Sequence, residues 1–293
     1  MRRASVALIR FIFLCLALVG SPASAERLSA LTWRDDAPEL GGLSGLEISE
    51  DGSQLWVLSD RGFLITADVL RLGGAISRLQ ITDVVPLLDT QGQRAGRRAA
   101  RDSEGLVRTA DGRIVISYEG RHRISEHGAD GVELDRFPAP LETSRLADNG
   151  SFEGLAQGPD GTFYTLTEDG EDGPAPLYRL RAEGWDLSWQ FPRSDGFAPV
   201  GLDMDDRGRL YVLERRFNGL SGFTTRLRRF EIGDSGLQAA QTLLEFGTSA
   251  RVNFEGLGLW RDAAGGLVAT LVSDDNFRAL FRTRIEEYRL SED

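Results

Sequence analysis

Apolar and polar residues alternate along this chain in short runs, as in Arg113-Ile114-Val115-Ile116-Ser117-Tyr118, and glycine-bearing turns interrupt the runs again and again. A period of two sends successive side chains to opposite faces, which predicts strands with one face against a core. The runs come in pairs. Five segments carry a Gly-Leu step near their start and end on an acidic residue: Leu43 to Asp60, Ser103 to Glu119, Phe152 to Glu168, Pro199 to Glu214, and Phe254 to Asp274. Between the two runs of each pair sits a turn dipeptide: Asp51-Gly52, Asp111-Gly112, Asp160-Gly161, Arg207-Gly208 or Gly265-Gly266. Glycine supplies the positive φ that tight hairpin turns require, so each segment predicts a β-hairpin. No long stretch keeps a helical period with caps.

The repeated glycines Gly45, Gly105, Gly154, Gly201 and Gly256 lie 47 to 60 residues apart, a spacing that suits four-stranded propeller blades. The expected fold is an all-β propeller. At roughly 45 residues per blade, residues 26–293 make a ring of six, with five or seven as alternatives. The sixth blade, with a degenerate signature, is expected between Val69 and Ala100. No linker divides the chain, so 26–293 reads as one domain, and Thr90 to Arg101 reads as a polar, arginine-rich loop.

The N-terminus adds a destination. Arg2, Arg3 and Arg10 lead into an apolar run from Phe11 to Val19 and then Ala23-Ser24-Ala25, the pattern of a signal peptide over residues 1–25, cleaved before Glu26. The run is short for a membrane anchor. Cys15, inside it, is the one cysteine, so the mature chain has no disulfide; an exported chain without cysteines points to a bacterial periplasmic or secreted protein.

The formal net charge of −11 becomes −14 once the three leader arginines are gone, which argues against nucleic acid as a partner. All 34 basic residues are arginine, which excludes Schiff-base chemistry and a P-loop lysine. No integral membrane segment is expected after cleavage, and the protein is expected to be a monomer.

Glu104 and Glu119 are equidistant from Asp111-Gly112, and Glu153 and Glu168 from Asp160-Gly161, so each pair is expected to face across a hairpin mouth; Glu255 and Asp274 are offset by about a residue. A propeller gathers equivalent positions around one axis. The result is a ring of acids: Asp60, Glu119, Glu168, Glu214 and Asp274 from second strands, with Glu104, Glu153 and Glu255 from first strands. Crowded carboxylates repel unless cations compensate. A hard ion such as calcium takes oxygen ligands, and the nearby arginines Arg61, Arg121, Arg215, Arg216, Arg278 and Arg282 suit a phosphate or carboxylate ligand. The competing reading is structural, each glutamate bonding only the amides of the next blade.

No G-x-S-x-G, H-E-x-x-H or Cys/His cluster is present. His122 and His127 are the only histidines and read as surface or loop residues; Trp33, Trp56, Trp185, Trp189, Trp260 and Tyr118 read as core.

Several blocks resemble the phytase-like domain proteins of bacteria, described as having esterase-like activity of phytase. They are Gly42 to Leu46, Leu58 to Gly62, Asp102 to Leu106, Ser117 to Gly120, Asn149 to Ala156, Pro199 to Asp203, Leu213 to Arg216, Asn253 to Leu257 and Ser273 to Phe277. The resemblance implies an exported propeller and hydrolysis of phosphate or carboxylate esters. It supplies no catalytic set, so the site follows from the hairpin mouths.

A divalent cation, calcium by preference, is expected on Glu104, Glu153, Glu255 and Asp274. The catalytic group is Glu119, Glu168, Glu214 and Arg215, in which a free carboxylate such as Glu119 or Glu168 is the base and Arg215 clamps the anion. Asp60, Arg61, Arg121 and Asn276 are the expected contacts to a small anionic ester. Ser44 and Val200 stand where other repeats have glutamate, so a complete ring of first-strand glutamates is not expected. The alternatives are a lactonase-like propeller, in which one ion polarises a ring carbonyl, and a non-catalytic envelope propeller with structural calcium.

Overall fold

Each paired run folds as a hairpin, and each hairpin is the inner half of a four-stranded antiparallel sheet. The structure is a computed structural model that describes residues 25–97, 100–119, 122–138, 152–168, 173–181, 184–278 and 281–292. The first strand, β1 (Glu26–Thr32), is held back for the last blade. Blade 1 is β2 (Leu43–Ile48), β3 (Gln54–Ser59), β4 (Phe63–Leu72) and β5 (Ala75–Pro86). Blade 2 is β6 (Ser103–Arg108), β7 (Ile114–Tyr118), β8 (Arg123–His127) and β9 (Glu133–Arg136). Blade 3 follows as β10 (Phe152–Gln157), β11 (Phe163–Thr167), β12 (Ala175–Arg181) and β13 (Gly184–Phe191). Blade 4 is β14 (Ala198–Met204), β15 (Leu210–Phe217), β16 (Phe223–Gly233) and β17 (Gly236–Glu245). Blade 5 joins β18 (Asn253–Arg261), β19 (Leu267–Asp274) and β20 (Arg284–Arg289) to β1, so the two ends of the chain close one sheet.

The described residues form five blades, which corrects the expected six. Where a sixth was expected, Val69 to Ala100, the chain instead completes blade 1. Strands β4 and β5 run 10 and 12 residues, pairing from Phe63 with Pro86 down to Leu72 with Ala75. Blade 4 has a similar long outer hairpin, with 11 residues in β16 and 10 in β17. Such hairpins lengthen the repeat, and dividing by a shorter unit therefore overcounts blades.

The core lies in layers between neighbouring blades. Leu43, Leu46, Leu55 and Val57 of blade 1 pack with Val272 and Ile285 of blade 5, while Tyr164 and Leu166 of blade 3 pack with Leu202, Leu210 and Val212 of blade 4. Side chains of this kind each contribute about 1.5–3 kcal/mol on full burial.

The repeated glycine has a steric cause. A Cβ on Gly45 would lie 2.7 Å from the carbonyl of Glu104, one on Gly154 2.6 Å from Leu202 Cβ, and one on Gly201 2.8 Å from the carbonyl of Glu255. Gly256 meets the carbonyl of Ser44 in the same way, so the contacts run from blade to blade around the ring. The five inner strands thereby approach until the channel keeps about 10 Å³ of free space, room for one water at most. In Gly105→Ala the added methyl would sit 2.5 Å from Ser117 Oγ and 2.7 Å from Leu155 Cβ. This substitution is expected to cost about 1–3 kcal/mol through overpacking, read as a lower urea midpoint. Gly96→Ala, with nothing within 4 Å, should leave the midpoint unmoved.

Candidate functional site

One local irregularity recurs in every inner hairpin. In blade 3, Phe152 pairs with Thr167 and Gly154 with Leu166, leaving Glu153 as an extra residue. In blade 5, Phe254 pairs with Ser273 and Gly256 with Val272, leaving Glu255. The register slips likewise between Ser103 and Leu106, Leu43 and Leu46, and Pro199 and Gly201. A β-bulge breaks the alternation and re-aims the extra side chain. Glu104, Glu153 and Glu255 thus line both the channel neck and the cup above it.

The same bulges move the partners of the second strands by one residue. Glu119 donates its N–H to the carbonyl of Asp102 at 2.9 Å, Asp60 donates to Gly42 at 2.8 Å, and Asp274 pairs with Asn253. The expected face-to-face pairing of Glu104 with Glu119 is therefore replaced by Asp102 opposite Glu119. In blade 4 the equivalent position, opposite Ala198, is Arg215. Glu214, one residue earlier, projects to the other side of the sheet, as strand alternation requires. It is fully buried, accepting from Arg226 Nε and Nη2 at 2.9 Å each and from Arg228 Nε at 2.5 Å and Nη2 at 2.9 Å. Its expected place in the ring is corrected on this ground.

The cup encloses about 400 Å³. Eight carboxylates line it: Asp60, Asp102, Glu104 and Glu119 from blades 1 and 2, with Glu153, Glu168, Glu255 and Asp274 from blades 3 and 5. Among its described lining residues Arg215 is the one base. Arg215 donates to Glu255 and to Asn253 Oδ1 (3.4 Å) and lies 3.5 Å from Glu168, while the Asn253 amide also donates to Glu255. Glu255, expected as a metal ligand, is thus engaged with the guanidinium. On the other wall chemistry of the cup, Asp102, Glu104 and Glu119 each present an oxygen within 4.8 Å of the other two, close enough for one ion.

Residues 38–277 match the family model described as "Phytase-like: Esterase-like activity of phytase". The chain belongs to the phytase-like family. No curated protein sequence matches it. Solved structures similar to this phytase-like chain include a luciferin-regenerating enzyme (13% identity, TM-score 0.48, 90% of this chain and 95% of that one). A catalytically inactive variant of virginiamycin B lyase from Staphylococcus aureus, with quinupristin, is similar at 11% identity and TM-score 0.47, over 91% of this chain and 99% of the other. A gluconolactonase from Xanthomonas campestris is similar at 16% identity and TM-score 0.45, over 85% and 72%.

The remaining expected contacts of the phytase-like site divide. Asp60 and Asn276 line the cup. Arg61 does not: it lies over the Phe277 ring, 3.4 Å from its centroid, donates to the carbonyl of Pro38 at 3.1 Å, and lines a neighbouring recess that shares Asn276 with the cup. Arg121 falls outside the described residues. Arg216, another candidate compensator, donates Nη1 to the carbonyl of Asp195 and sits over Phe197. His127 is buried in β8, a correction to the expected surface role; its Nε2 lies 3.0 Å from the Tyr118 hydroxyl and its Nδ1 3.0 Å from the carbonyl of Gly131. Asp102 and Asn253 were not among the expected site residues. Both stand two positions before a bulged glutamate, and an oxygen-bearing residue repeated at that offset was the available signal.

Burial, then the charges of Glu153, Asp102 and Glu119, holds Glu104 well above the ordinary glutamate range. Glu153 is raised by burial and then by Glu168 and Glu119. Asp274 is pushed up to about 7, first by burial and then by Asp60 and Asp275, against the N–H of Asn276 that it accepts at 2.6 Å. Acids with a raised folded pKa bind protons in the native state that the unfolded chain has released, so stability falls as pH rises. The window runs from the ordinary carboxylate value near 4 to the Asp274 value of about 7. Metal-free protein should therefore melt several degrees higher at pH 5 than at pH 8, as followed by differential scanning calorimetry. A flat profile over that window would mean that the cup is relieved by partners other than protons.

Proposed function

We propose that this phytase-like propeller is an exported, monomeric hydrolase of phosphate or related esters that works with a divalent cation, calcium being the best fit. The observation that carries the reading is the convergence of Asp102, Glu104 and Glu119 oxygens within 4.8 Å in a cup that also holds Arg215. The donor set suits a hard cation, because every candidate ligand is a carboxylate oxygen and neither histidine nor cysteine is among them. A bound ion there would relieve the mutual repulsion and supply Lewis acidity towards an ester oxygen or a water.

The protein's own groups cover the other requirements. Arg215, its fork held by Glu255 and Asn253, offers donors to a substrate oxyanion. Glu168, outside the trio and 3.5 Å from Arg215, is the carboxylate that would take the proton of an attacking water. Asp274, whose carboxyl burial pushes up to about 7, is the group that would return a proton to the leaving oxygen as the ester bond breaks. The products are the free acid and an alcohol. An arginine in the cup supports this reading over a lactonase-like site built on a lone ion. The narrow neck makes the cup blind, so substrate and product share one mouth.

The test is calorimetric titration of chelated mature protein with calcium, magnesium and zinc, with 4-nitrophenyl phosphate and 4-nitrophenyl acetate turnover followed in parallel. One calcium per chain and calcium-dependent release from the phosphate ester are expected. Neither binding nor turnover would replace this reading with a non-catalytic propeller. Export is checked separately: the mass of protein recovered outside the cytoplasm should begin at Glu26. No described helix is long and apolar enough to cross a membrane.

A further inference from the structure

A second cavity, of about 650 Å³, lies between blade 2 and the loop that follows β5, and it shares no lining residue with the cup. Its volume is in the range of small-molecule sites. Leu87, Ala100 and Tyr118 give it an apolar floor, and Tyr118 is fully buried. In a chain of net charge −11 its walls are basic: among the described lining residues Arg97, Arg101, Arg123 and Arg136, together with His122, stand against Asp89 and Glu133. Both acids are already engaged. Glu133 pairs with Arg136, and Asp89 Oδ1 accepts the N–H groups of Gln91 and Gln93 at 2.9 Å each.

The Arg101 and Arg123 guanidinium groups and the His122 ring are incompletely hydrogen-bonded. Arg123 donates Nη2 to the carbonyl of Ala100 at 2.9 Å and lies face-on to the Tyr118 ring, 3.5 Å from its centroid. Arg101 Nε and His122 Nδ1 are shut away from water and have no hydrogen-bond partner among the described residues. Buried polar atoms left in that state call for a partner, and the guanidinium fork favours a planar or tetrahedral oxyanion.

We propose that this cavity binds a small organic anion, with its carboxylate or phosphoryl head on Arg101, Arg123 and His122 and its apolar body on the Tyr118 and Leu87 floor. The site is independent of the cup's chemistry, and it does not need the metal.

Isothermal titration of chelated mature protein with phenylphosphonate, benzoate, orthophosphate and benzyl alcohol tests this. One aromatic anion is expected to bind per chain, at least about tenfold tighter than benzyl alcohol and tighter than orthophosphate. Whichever of phenylphosphonate and benzoate binds better identifies the head group. Arg101→Gln should weaken binding at least about fivefold without changing the melting temperature, whereas Glu104→Gln in the cup should leave the affinity as it is. Arg123→Gln should also weaken binding, but its stacking on Tyr118 makes Arg101→Gln the deciding variant. The proposal is overturned if no aromatic anion saturates, if benzyl alcohol or orthophosphate binds as tightly, if Arg101→Gln binds like the parent, or if Glu104→Gln abolishes binding. The last outcome would move the anion into the cup and leave the metal titration as a separate question.

Discussion

Glu104→Gln is expected to lower phosphate-ester turnover at saturating calcium by at least about a hundredfold, and to abolish the rise in melting temperature on adding calcium that the proposed site requires of the parent. The substitution keeps the shape of the side chain and removes one charge from three closely placed oxygens. Losing a group that acts through a bound ion typically costs several kcal/mol of transition-state stabilisation, and about 1.4 kcal/mol corresponds to each factor of ten. The metal-free variant should be at least as stable as the parent at pH 8, because Glu104 is the carboxylate whose neighbours Glu153, Asp102 and Glu119 oppose its ionisation. Stability is read by thermal denaturation with and without chelator. Full turnover in a folded Glu104→Gln protein would remove the trio from the chemistry.

The second large effect falls outside the cup. Glu214→Gln leaves the Arg226 and Arg228 guanidinium groups facing a neutral amide inside blade 4. Breaking a buried ion cluster by removing its acid typically costs about 3–5 kcal/mol, since the surviving charges stay desolvated. For a domain of this size that corresponds to a melting temperature lower by roughly 10 °C. Arg226 keeps Ser194 and Asp195 as partners, and Arg228 keeps the carbonyl of Pro192, which limits but does not cancel the loss. Turnover per folded molecule should be unchanged. A shift below about 2 °C would show that those secondary partners suffice, and a selective loss of turnover would return Glu214 to the catalytic group.

Much of the architecture was legible because its causes are local. Alternating runs, Asp-Gly turns and a recurring Gly-Leu step are properties of a few adjacent residues, and they correctly announced repeated hairpins around an axis. Blade number was less accessible, since it depends on how far the outer strands β4, β5, β16 and β17 extend, and their length is decided by pairing with one another. The acid ring was legible as a set of residue types but not in register. A single bulged residue per inner strand leaves no compositional mark, yet it exchanges Glu214 for Arg215 at the mouth and sets Asp102 opposite Glu119. The cup's only described base was therefore foreseen as a neighbour of the ring, when it is a member of it.

The pairing of β1 with β20 governs how the molecule can be made. Ser29 donates to Glu287 across a separation of 258 positions, and Arg27 to Thr32 pair with Tyr288 to Arg284. Contacts that distant form late, because the intervening loop entropy must be overcome before they return any stabilisation. Blades 1 to 4 can assemble in the order of synthesis, each on the one before it. The final sheet has to wait for both termini. A nascent or truncated chain lacking Arg284–Arg289 is an open arc with unpaired strand edges at each end, the geometry that invites edge-to-edge association. Completion of the seam removes those edges, so a chain shortened by Arg284–Arg289 should associate more readily than the full chain, as light scattering at matched concentration would read.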